Sequence, residues 1–282
     1  MDVTTYPDAA AFLQRTLPAL EASEAAGSLM LGMCLRLARY PERIETPPCF
    51  KTVSDDQGLA LAAVMMPPFQ IVAHGVRGDL DAAARALAAE LLAERWHVPG
   101  VQGPAEVAAL VAARLGEASG RRPRLERREH LYELRAVSTP VPAHGRLRVA
   151  GEPEAALIAR WWYGSSRAAF GQADAAESDR VARRCIADGD VYVWDVGRPV
   201  SQAVKTGPTP RGISIGRVYT PPEERGRGYA TACVGELSRL LLAQGRDYCT
   251  LFVEAANTAA QRIYQRIGYR QVGVVDQIVL ED

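Results

Sequence analysis

A short stretch near residue 220 places glycines and arginines at the expected start of a helix. Val218 to Val234 read VYTPPEERGRGYATACV. Gly226 and Gly228 allow a ligand to come close to the backbone, and Arg225 and Arg227 add positive charge there. The N–H groups in the first turn of a helix lack intrahelical partners and favour an anion at the same point. The stretch therefore predicts a binding site for a pyrophosphate group.

Two prolines separate this stretch from the strand before it. Pro221 and Pro222 have no backbone N–H, so the strand that ends at Thr220 is expected to stop pairing there. The pattern lacks the Gly-Lys-Ser/Thr of a P-loop and the three spaced glycines of a dinucleotide-binding loop. Taken alone, the two glycines also fit a plain strand-to-helix turn.

Two polar residues follow further along the chain. Asn257 and Tyr264 are seven residues apart, which places them on roughly one face of a helix. A tyrosine is protonated at neutral pH and can donate its proton to a departing anion. The structural alternatives are an N-cap for Asn257 and a core aromatic for Tyr264.

These residues together resemble a known family. Arg225-x-x-Gly228-x-Ala230 resembles motif A of the GNAT superfamily of acetyl-CoA-dependent N-acetyltransferases. Asn257, Tyr264 and the Ile267-Gly268-Tyr269 triplet resemble its motif B, in the same order and at the same separation. The string is similar to a bacterial group of predicted acetyltransferases, related to FR47-like proteins, that carry two tandem GNAT-like halves. The resemblance covers roughly residues 146–280.

The resemblance implies acetyl-CoA as the acetyl donor and a role for each matching residue. Motif A backbone amides would hold the pyrophosphate, the preceding strand would pair with the pantetheine arm, and a backbone N–H near Val218 and Tyr219 would steady the oxyanion. Asn257 would contact the pantetheine, and Tyr264 would protonate the leaving thiolate. The implied cofactor-binding residues are Val218, Tyr219, Thr220, Arg225, Gly226, Arg227, Gly228, Tyr229, Ala230, Asn257 and Tyr264.

The general base is left open by the sequence. An amine must lose a proton before or during its attack, so a carboxylate or an ordered water is expected. Glu223 and Glu254 are the two candidates. Each has a structural alternative, because Glu223 suits a helix start and Glu254 suits the exposed end of a strand.

The order of predicted elements occurs twice along the chain. Both halves read as a helix pair, three strands, a helix, a short strand, a helix and a final strand, which any α/β protein can also produce by chance. We predict an α/β (α+β) fold of two tandem GNAT-like domains, each with a mixed, mostly antiparallel sheet flanked by helices. Residues 1–137 form the first domain, residues 138–145 a linker and residues 146–282 the catalytic domain.

The first half lacks the chemistry of the second. Where the second half has PPEERGRGYA, the first has VRGDLDAAARA, whose aspartates would repel a pyrophosphate. A helix expected to end at Gly116 would place Ala105 and Ala112 where Asn257 and Tyr264 stand. The first half is therefore expected to be a GNAT-like domain without an active site, which walls off the acceptor pocket or completes the sheet.

Composition narrows the function classes. The 282 residues have a formal net charge of zero and are 48% hydrophobic, which argues against nucleic-acid and membrane partners. Five scattered cysteines, no metal-ligand spacing and no signal peptide or membrane span indicate a cytoplasmic protein. The chain is expected to be a monomer or homodimer.

The acceptor is expected to be a small-molecule amine. Trp161, Trp162 and Tyr163 lie on the helix that borders the acceptor site in this family, although at least one of them is expected to be plain core. The alternatives are a non-catalytic acyl-CoA-binding or sensor protein, and an acetyltransferase that acts on proteins or peptides.

Overall fold

In the described part of the chain, twelve strands form a single mixed sheet flanked by helices. This computed structural model describes residues 1–138, 144–171 and 173–282, and of residues 168–170 only the backbone. Most of the expected linker, residues 139–143, lies outside the described residues. The sheet order is β1-β2-β3-β4-β5-β12-β6-β11-β10-β9-β8-β7.

The first half contributes six strands and four helices, and a 3-10 turn follows its second helix. In chain order they are β1 (Asp2–Tyr6), α1 (Ala9–Ala22), α2 (Ser28–Arg39), β2 (Cys49–Asp55), β3 (Gly58–Met65), β4 (Ile71–Gly75), α3 (Leu80–Ala93), β5 (Gly100–Pro104), α4 (Ala105–Ser119) and β6 (Arg122–Leu134). The strand β1 was not predicted from the sequence.

The second half repeats the same order. Its elements are β7 (Arg146–Val149), α5 (Ala155–Phe170), α6 (Ala175–Ala187), β8 (Val191–Asp195), β9 (Pro199–Pro208), β10 (Gly212–Tyr219), α7 (Tyr229–Ala243), β11 (Tyr248–Glu254), α8 (Thr258–Ile267) and β12 (Arg270–Glu281). A 3-10 turn, Pro222–Glu224, joins β10 to α7. The predicted repetition of elements is confirmed. Across residues 1–138, 144–171 and 173–282, no helix is long and apolar enough to cross a membrane.

The helix α4 is longer than predicted. It continues past Gly116 to Ser119 and ends at Gly120, whose φ of +76° is the left-handed conformation that glycine adopts without strain. Gly268 ends α8 in the same way, with φ at +116°. The match of Gly116 to Gly268 was therefore wrong, and Gly120 is the counterpart of Gly268 as a helix C-cap.

Among the described residues, the last strand of each half pairs only with strands of the other half. Strand β12 is antiparallel to β5 on one side and to β6 on the other, and β6 is antiparallel to β11. In the second half's part of the sheet, β6 therefore stands next to β11. Domain boundaries at residues 137 and 146 stay a prediction, since the sheet pairing crosses them.

Helices cover both faces of the sheet. In the second half, α5 and α6 pack against Val191, Val193 and Val204, whereas α7 and α8 pack against the alternate residues of the same strands. We call these the α5/α6 face and the α7/α8 face. Helix α2 crosses from the first half onto β9, where a Cβ on Gly32 would come within 2.9 Å of the Gly207 Cα.

A buried carboxylate joins the two halves. Glu24, in the loop after α1, accepts hydrogen bonds from the Thr209 hydroxyl (2.5 Å) and from the backbone N–H (2.8 Å) and Nε (2.8 Å) of Arg211. Burial alone would raise the pKa of Glu24, but these hydrogen bonds outweigh it and lower that pKa to about 2. The carboxylate therefore stays charged and holds the β9–β10 turn against the first half.

Candidate functional site

The strands β10 and β11 separate part-way along their length. Their parallel pairing runs from Gly212 opposite Tyr248 to Ser214 opposite Thr250, and no further pair between them is present in the described part of the chain. Beyond this point, β10 carries a bulge between Gly216 and Tyr219. The backbone of Val218 therefore presents an unpaired edge towards β11, as expected for a strand that binds an extended ligand arm.

The gap leads to an uncapped helix start. Gly228 is the N-cap of α7 and has a φ of +79°, and Gly226 has a φ of +76°. A Cβ on either glycine would meet no atom within 4 Å, so the space above this backbone is open. Among the described residues no side chain caps α7. The amides of its first turn, from Tyr229 onwards, remain available to an anion.

A buried glutamate shapes this turn. Glu224 is 3% exposed and accepts from Arg227 Nη1 at 3.2 Å through one carboxylate oxygen and from Arg198 through the other. Arg225 donates through its Nε to the carbonyl oxygen of Thr220 at 3.0 Å. Both arginines of the predicted site are exposed, and each guanidinium has further N–H donors for a ligand.

Tyr264 lies on α8 with its ring in the core of the α7/α8 face. It is 7% exposed, and burial raises the pKa of its hydroxyl to about 12. Its ring is 6.0 Å from that of Tyr269. The Tyr269 hydroxyl hydrogen-bonds to Ser238 at 2.8 Å, whereas no hydrogen bond to the Tyr264 hydroxyl is found within the described ranges. The Tyr264 hydroxyl is therefore protonated at neutral pH and makes no hydrogen bond with the described residues.

Asn257 acts as a helix cap. Its Oδ1 accepts a hydrogen bond from the backbone N–H of Ala260 at 3.1 Å, which is the structural role that the sequence left open for it. The side chain is exposed. The capping oxygen fixes where α8 begins, and α8 in turn positions Tyr264.

Glu129 and Glu254 face each other on neighbouring strands. They are directly opposite in the pairing of β6 with β11, so their side chains lie on the same face of the sheet. Burial raises the pKa of Glu129 and the charge of Glu254 raises it further, against a hydrogen bond from Gln277 Nε2 at 3.1 Å. Glu223 is exposed on the 3-10 turn.

Glu129 was missed by the sequence analysis. It lies in RLERREHLYELRAV, which was taken only as the last strand of the first half. Its neighbours in the sheet come from residues more than a hundred positions away, and no local pattern announces them. The run of charged residues in this strand was the one available signal, because acidic residues are depleted in strands.

Aromatic side chains of α5 approach the bulge of β10. The Trp161 ring lies 5.9 Å from the Tyr219 ring, and the Arg217 guanidinium carbon lies 4.4 Å from the Trp162 ring centre. Trp162 is 1% exposed, so it is largely core, as expected for at least one of the three aromatics. A separate groove of about 660 Å³ between β7 and α7 lies away from this region.

The corresponding region of the first half is closed. Asp79 is the N-cap of α3, and its carboxylate accepts from the Ala82 N–H at 3.0 Å. A Cβ on Gly103 of β5 would clash with the carbonyl oxygen of Ala73 on β4, so these two strands stay in close contact. At Gly75 the space is filled by the side chains of Leu80 and Val107.

Comparison with known proteins agrees with this geometry. Residues 200–277 match the family of FR47-like proteins. A tandem GNAT protein from the clavulanic acid biosynthesis pathway has 13% sequence identity and a TM-score of 0.62, with 98% of each chain covered. The chain has a tandem GNAT fold. The recognition of GNAT-type halves and of an FR47-like region is confirmed.

Two further solved structures share the fold over nearly the whole chain. A GCN5-related N-acetyltransferase from Sphaerobacter thermophilus has 21% identity and a TM-score of 0.59, with coverage of 98% of this chain and 94% of that one. A GNAT-family acetyltransferase from Colwellia psychrerythraea has 13% identity and a TM-score of 0.57, with both chains fully covered. No curated protein sequence matches the chain.

Proposed function

We propose that the protein is an acetyl-CoA-dependent N-acetyltransferase with one working site, in its second half. The observation that carries the proposal is the open gap between β10 and β11, which leads to the uncapped start of α7. An extended acyl-CoA arm with a pyrophosphate at one end matches that combination of a free strand edge and a helix N-terminus. The FR47-like region and the GNAT fold support acyl transfer in general.

The binding roles follow from the elements. The backbone of residues 225–230 holds the pyrophosphate, and the guanidinium groups of Arg225 and Arg227 add charge to that site. The free edge of β10 from Val218 to Thr220 pairs with the pantetheine arm. Asn257 borders the arm from the start of α8.

The chemical step is a direct transfer. The nitrogen of the acceptor amine attacks the thioester carbon, and the carbon–sulfur bond breaks as the tetrahedral intermediate collapses. A backbone N–H near Val218 and Tyr219 stabilises the oxyanion. Tyr264 donates its proton to the leaving thiolate, because its raised pKa keeps the hydroxyl protonated until that charge develops.

The proton lost by the amine goes to a carboxylate. We assign this role to the facing pair Glu129 and Glu254 on the α5/α6 face, with Glu223 as the alternative. A glutamate whose pKa is raised towards neutrality is a stronger base than an ordinary surface carboxylate. Glu129 belongs to the first half, so residues 1–137 would then support catalysis without binding the cofactor themselves.

Calorimetric titration with acetyl-CoA, followed by a thiol-release screen, tests the proposal. The screen offers small amines, amino acids and short peptides, with desulfo-CoA as the binding control. We expect acetyl-CoA to bind and at least one small amine to release free CoA. Binding without thiol release would favour a non-catalytic acyl-CoA sensor, and release with peptides alone would favour a protein acetyltransferase. Absence of acetyl-CoA binding would overturn the proposed function.

A further inference from the structure

Arg217 adopts an unusual backbone conformation at the bulge of β10. Its φ is +47°, in the left-handed region that costs a residue with a side chain about 1 kcal/mol or more. The carbonyl oxygen of Arg217 accepts from Gln202 Nε2 at 3.1 Å, which fixes the bulge from β9. Strain of this kind persists where the surrounding structure holds a side chain in a required direction.

The guanidinium of Arg217 has no carboxylate partner. It stacks on the Trp162 ring, and no acid of the described residues lies within ion-pair distance. Arg217 as a whole is exposed, but the protein packed around part of the side chain desolvates it and lowers its pKa. Glu177 on α6 is the acid that attracts it, but that carboxylate is already bound to Arg180 at 2.6 Å.

A second arginine adds to the positive charge. Arg184 on α6 repels Arg217, and it too forms no ion pair among the residues that the structure describes. Two like charges held near each other destabilise a protein, and a bound anion would reduce that cost. The other arginines of α6, Arg180 and Arg183, are both paired with acids.

Buried polar atoms beside Arg217 also lack partners. Trp162 Nε1 and Gln202 Oε1 are buried with no hydrogen bond among the described residues, although both side chains contact Arg217. Such atoms are rare in folded proteins and mark places where a ligand or ordered water is expected. Trp162 Nε1 is a donor and suits an anionic group, whereas Gln202 Oε1 is an acceptor and suits an N–H group or a water.

Arg217 lies on the α5/α6 face, at the unpaired end of β10. Both faces of the second half carry a packed core, but Arg217 is an exposed side chain on the α5/α6 face, from which an acceptor can reach the gap. Arg217 and Tyr219 contact α5 on that face, at the unpaired end of β10. Glu129 and Glu254 alternate along their strands with residues of the α7/α8 core, which places them on the same face as Arg217.

We propose that Arg217, stacked on Trp162 and supported by Arg184, binds a carboxylate of the acceptor, so that the acceptor is an amino acid or another amine that carries a carboxylate. This inference rests on the proposed function and names its substrate class. The planar guanidinium binds a carboxylate through two parallel hydrogen bonds and fixes the amine at a set distance from it.

Matched acceptors test the inference. Thiol release is measured with saturating acetyl-CoA for the common amino acids, their amides, and the corresponding amines without a carboxyl group. We expect kcat/KM to favour an acid over its amide by about 10- to 100-fold, as for a charged hydrogen bond. Arg217→Gln should abolish this preference. Arg217→Gly should do the same while fitting the left-handed backbone. Arg183→Ala is the control and should retain the preference.

A binding experiment tests the carboxylate preference without any turnover. Calorimetry with N-acetyl amino acids and their amides should show binding of the acids to the wild-type protein, and about 10-fold or more weaker binding to Arg217→Gln. Equal use of acids and amides, a preference retained in both Arg217 variants, or no binding of any N-acetyl amino acid would overturn the inference. Faster thiol release with phosphoethanolamine than with amino acids would show that the site prefers a phosphate to a carboxylate, and would overturn the inference. Thiol release from acetyl-CoA to uncharged amines alone would leave the proposed function intact and remove this inference.

Discussion

The helices α3 and α7 begin at matching points of the two halves, yet their starts differ. A carboxylate caps α3, because Asp79 accepts from its first turn and Asp81 binds Arg85 and Arg114 close by. The start of α7 has a glycine N-cap and no side-chain cap in the described part of the chain. A helix start filled by its own acid has no room or charge for a pyrophosphate.

The strand pairs beside these helices differ as well. Both β4–β5 and β10–β11 begin as parallel pairs. The first pairing ends at Val72 and the second at Ser214, but the space beyond them differs: Leu80 and Val107 fill the space at Gly75, whereas nothing lies within 4 Å of a Cβ on Gly228. The comparison teaches that packing between two strands, under one topology, decides whether a half can hold an extended ligand.

The largest expected effect comes from the tyrosine that the first half lacks. Alignment of the two helix N-caps places the buried Val111 where Tyr264 stands, so α4 offers no hydroxyl. Tyr264→Phe should lower kcat by about 100-fold or more, because a general acid contributes that much, and leave the Kd of acetyl-CoA within about 2-fold. Tyr269→Phe is the control, since its hydroxyl is bonded to Ser238. Equal loss in both variants, or unchanged turnover in Tyr264→Phe, would remove Tyr264 from the mechanism.

The second-largest expected effect tests whether Glu129, a residue of the first half, takes part in catalysis in the second half. Glu129→Gln should lower kcat by about 10-fold or more, because the proposed base is lost. The base acts when deprotonated, so activity should fall as the pH drops through the raised pKa of Glu129, above the ordinary glutamate range. Glu254→Gln removes a negative charge that raises the pKa of Glu129. This variant should therefore keep its turnover, and its activity should fall only at a lower pH than that of the wild-type protein. A pH–rate profile measures both. Loss of turnover in Glu254→Gln with a normal Glu129→Gln would make Glu254 the base.

A matched pair of glycines compares the two helix starts. Gly78 and Gly228 have φ values of +72° and +79°, so Gly→Ala strains both backbones by about the same 1–2 kcal/mol. Gly228→Ala should weaken acetyl-CoA binding by about 10-fold, because its Cβ enters the space proposed for the pyrophosphate. Gly78→Ala should leave that Kd unchanged in calorimetry. An equal change in both variants would show that stability, not the site, sets the affinity.

The smallest expected effect tests whether the charge of Asp79 or the packing of β4 and β5 keeps acetyl-CoA out of the first half. Asp79→Ser keeps an N-cap and removes the carboxylate, so the free energy of unfolding should change by no more than about 0.5 kcal/mol. Because β4 and β5 remain closed, this variant should gain no second acetyl-CoA site. A stoichiometry of two in calorimetry would show that the aspartate alone had closed the first site.

Local sequence patterns predicted most elements of the fold. The residue patterns predict strands at CFKTVSD and YCTLFVE and a helix near residues 175–187. The structure has these elements at Cys49–Asp55, Tyr248–Glu254 and Ala175–Ala187, since each has a clear period and distinct ends. The glycine and proline pattern at residues 221–228 also located the uncapped helix start. The end of α4 was misjudged because Gly116 sits inside that helix, where Arg121 and Pro123 leave no space for a Cβ.

Contacts between distant parts of the chain could not be predicted in the same way. The pairing of β12 with β5 and β6 joins residues 137 to 179 positions apart, and no local period specifies it. Glu129 and Arg217 were missed for the same reason. The role of Glu129 depends on a strand from the other half, and that of Arg217 on a bulge and a tryptophan ring.

The final strand of each half pairs with strands of the other half, and this arrangement affects how the protein folds during its synthesis. Strand β12 follows every other described element along the chain, and it stands between β5 and β6 in the sheet. The strands β1 to β5 of the first half therefore lack their neighbour β12 until the end of synthesis, although domains of a chain usually fold one after another during synthesis. The two halves should unfold in a single cooperative transition, and a cut between them should yield fragments that recover structure only when mixed.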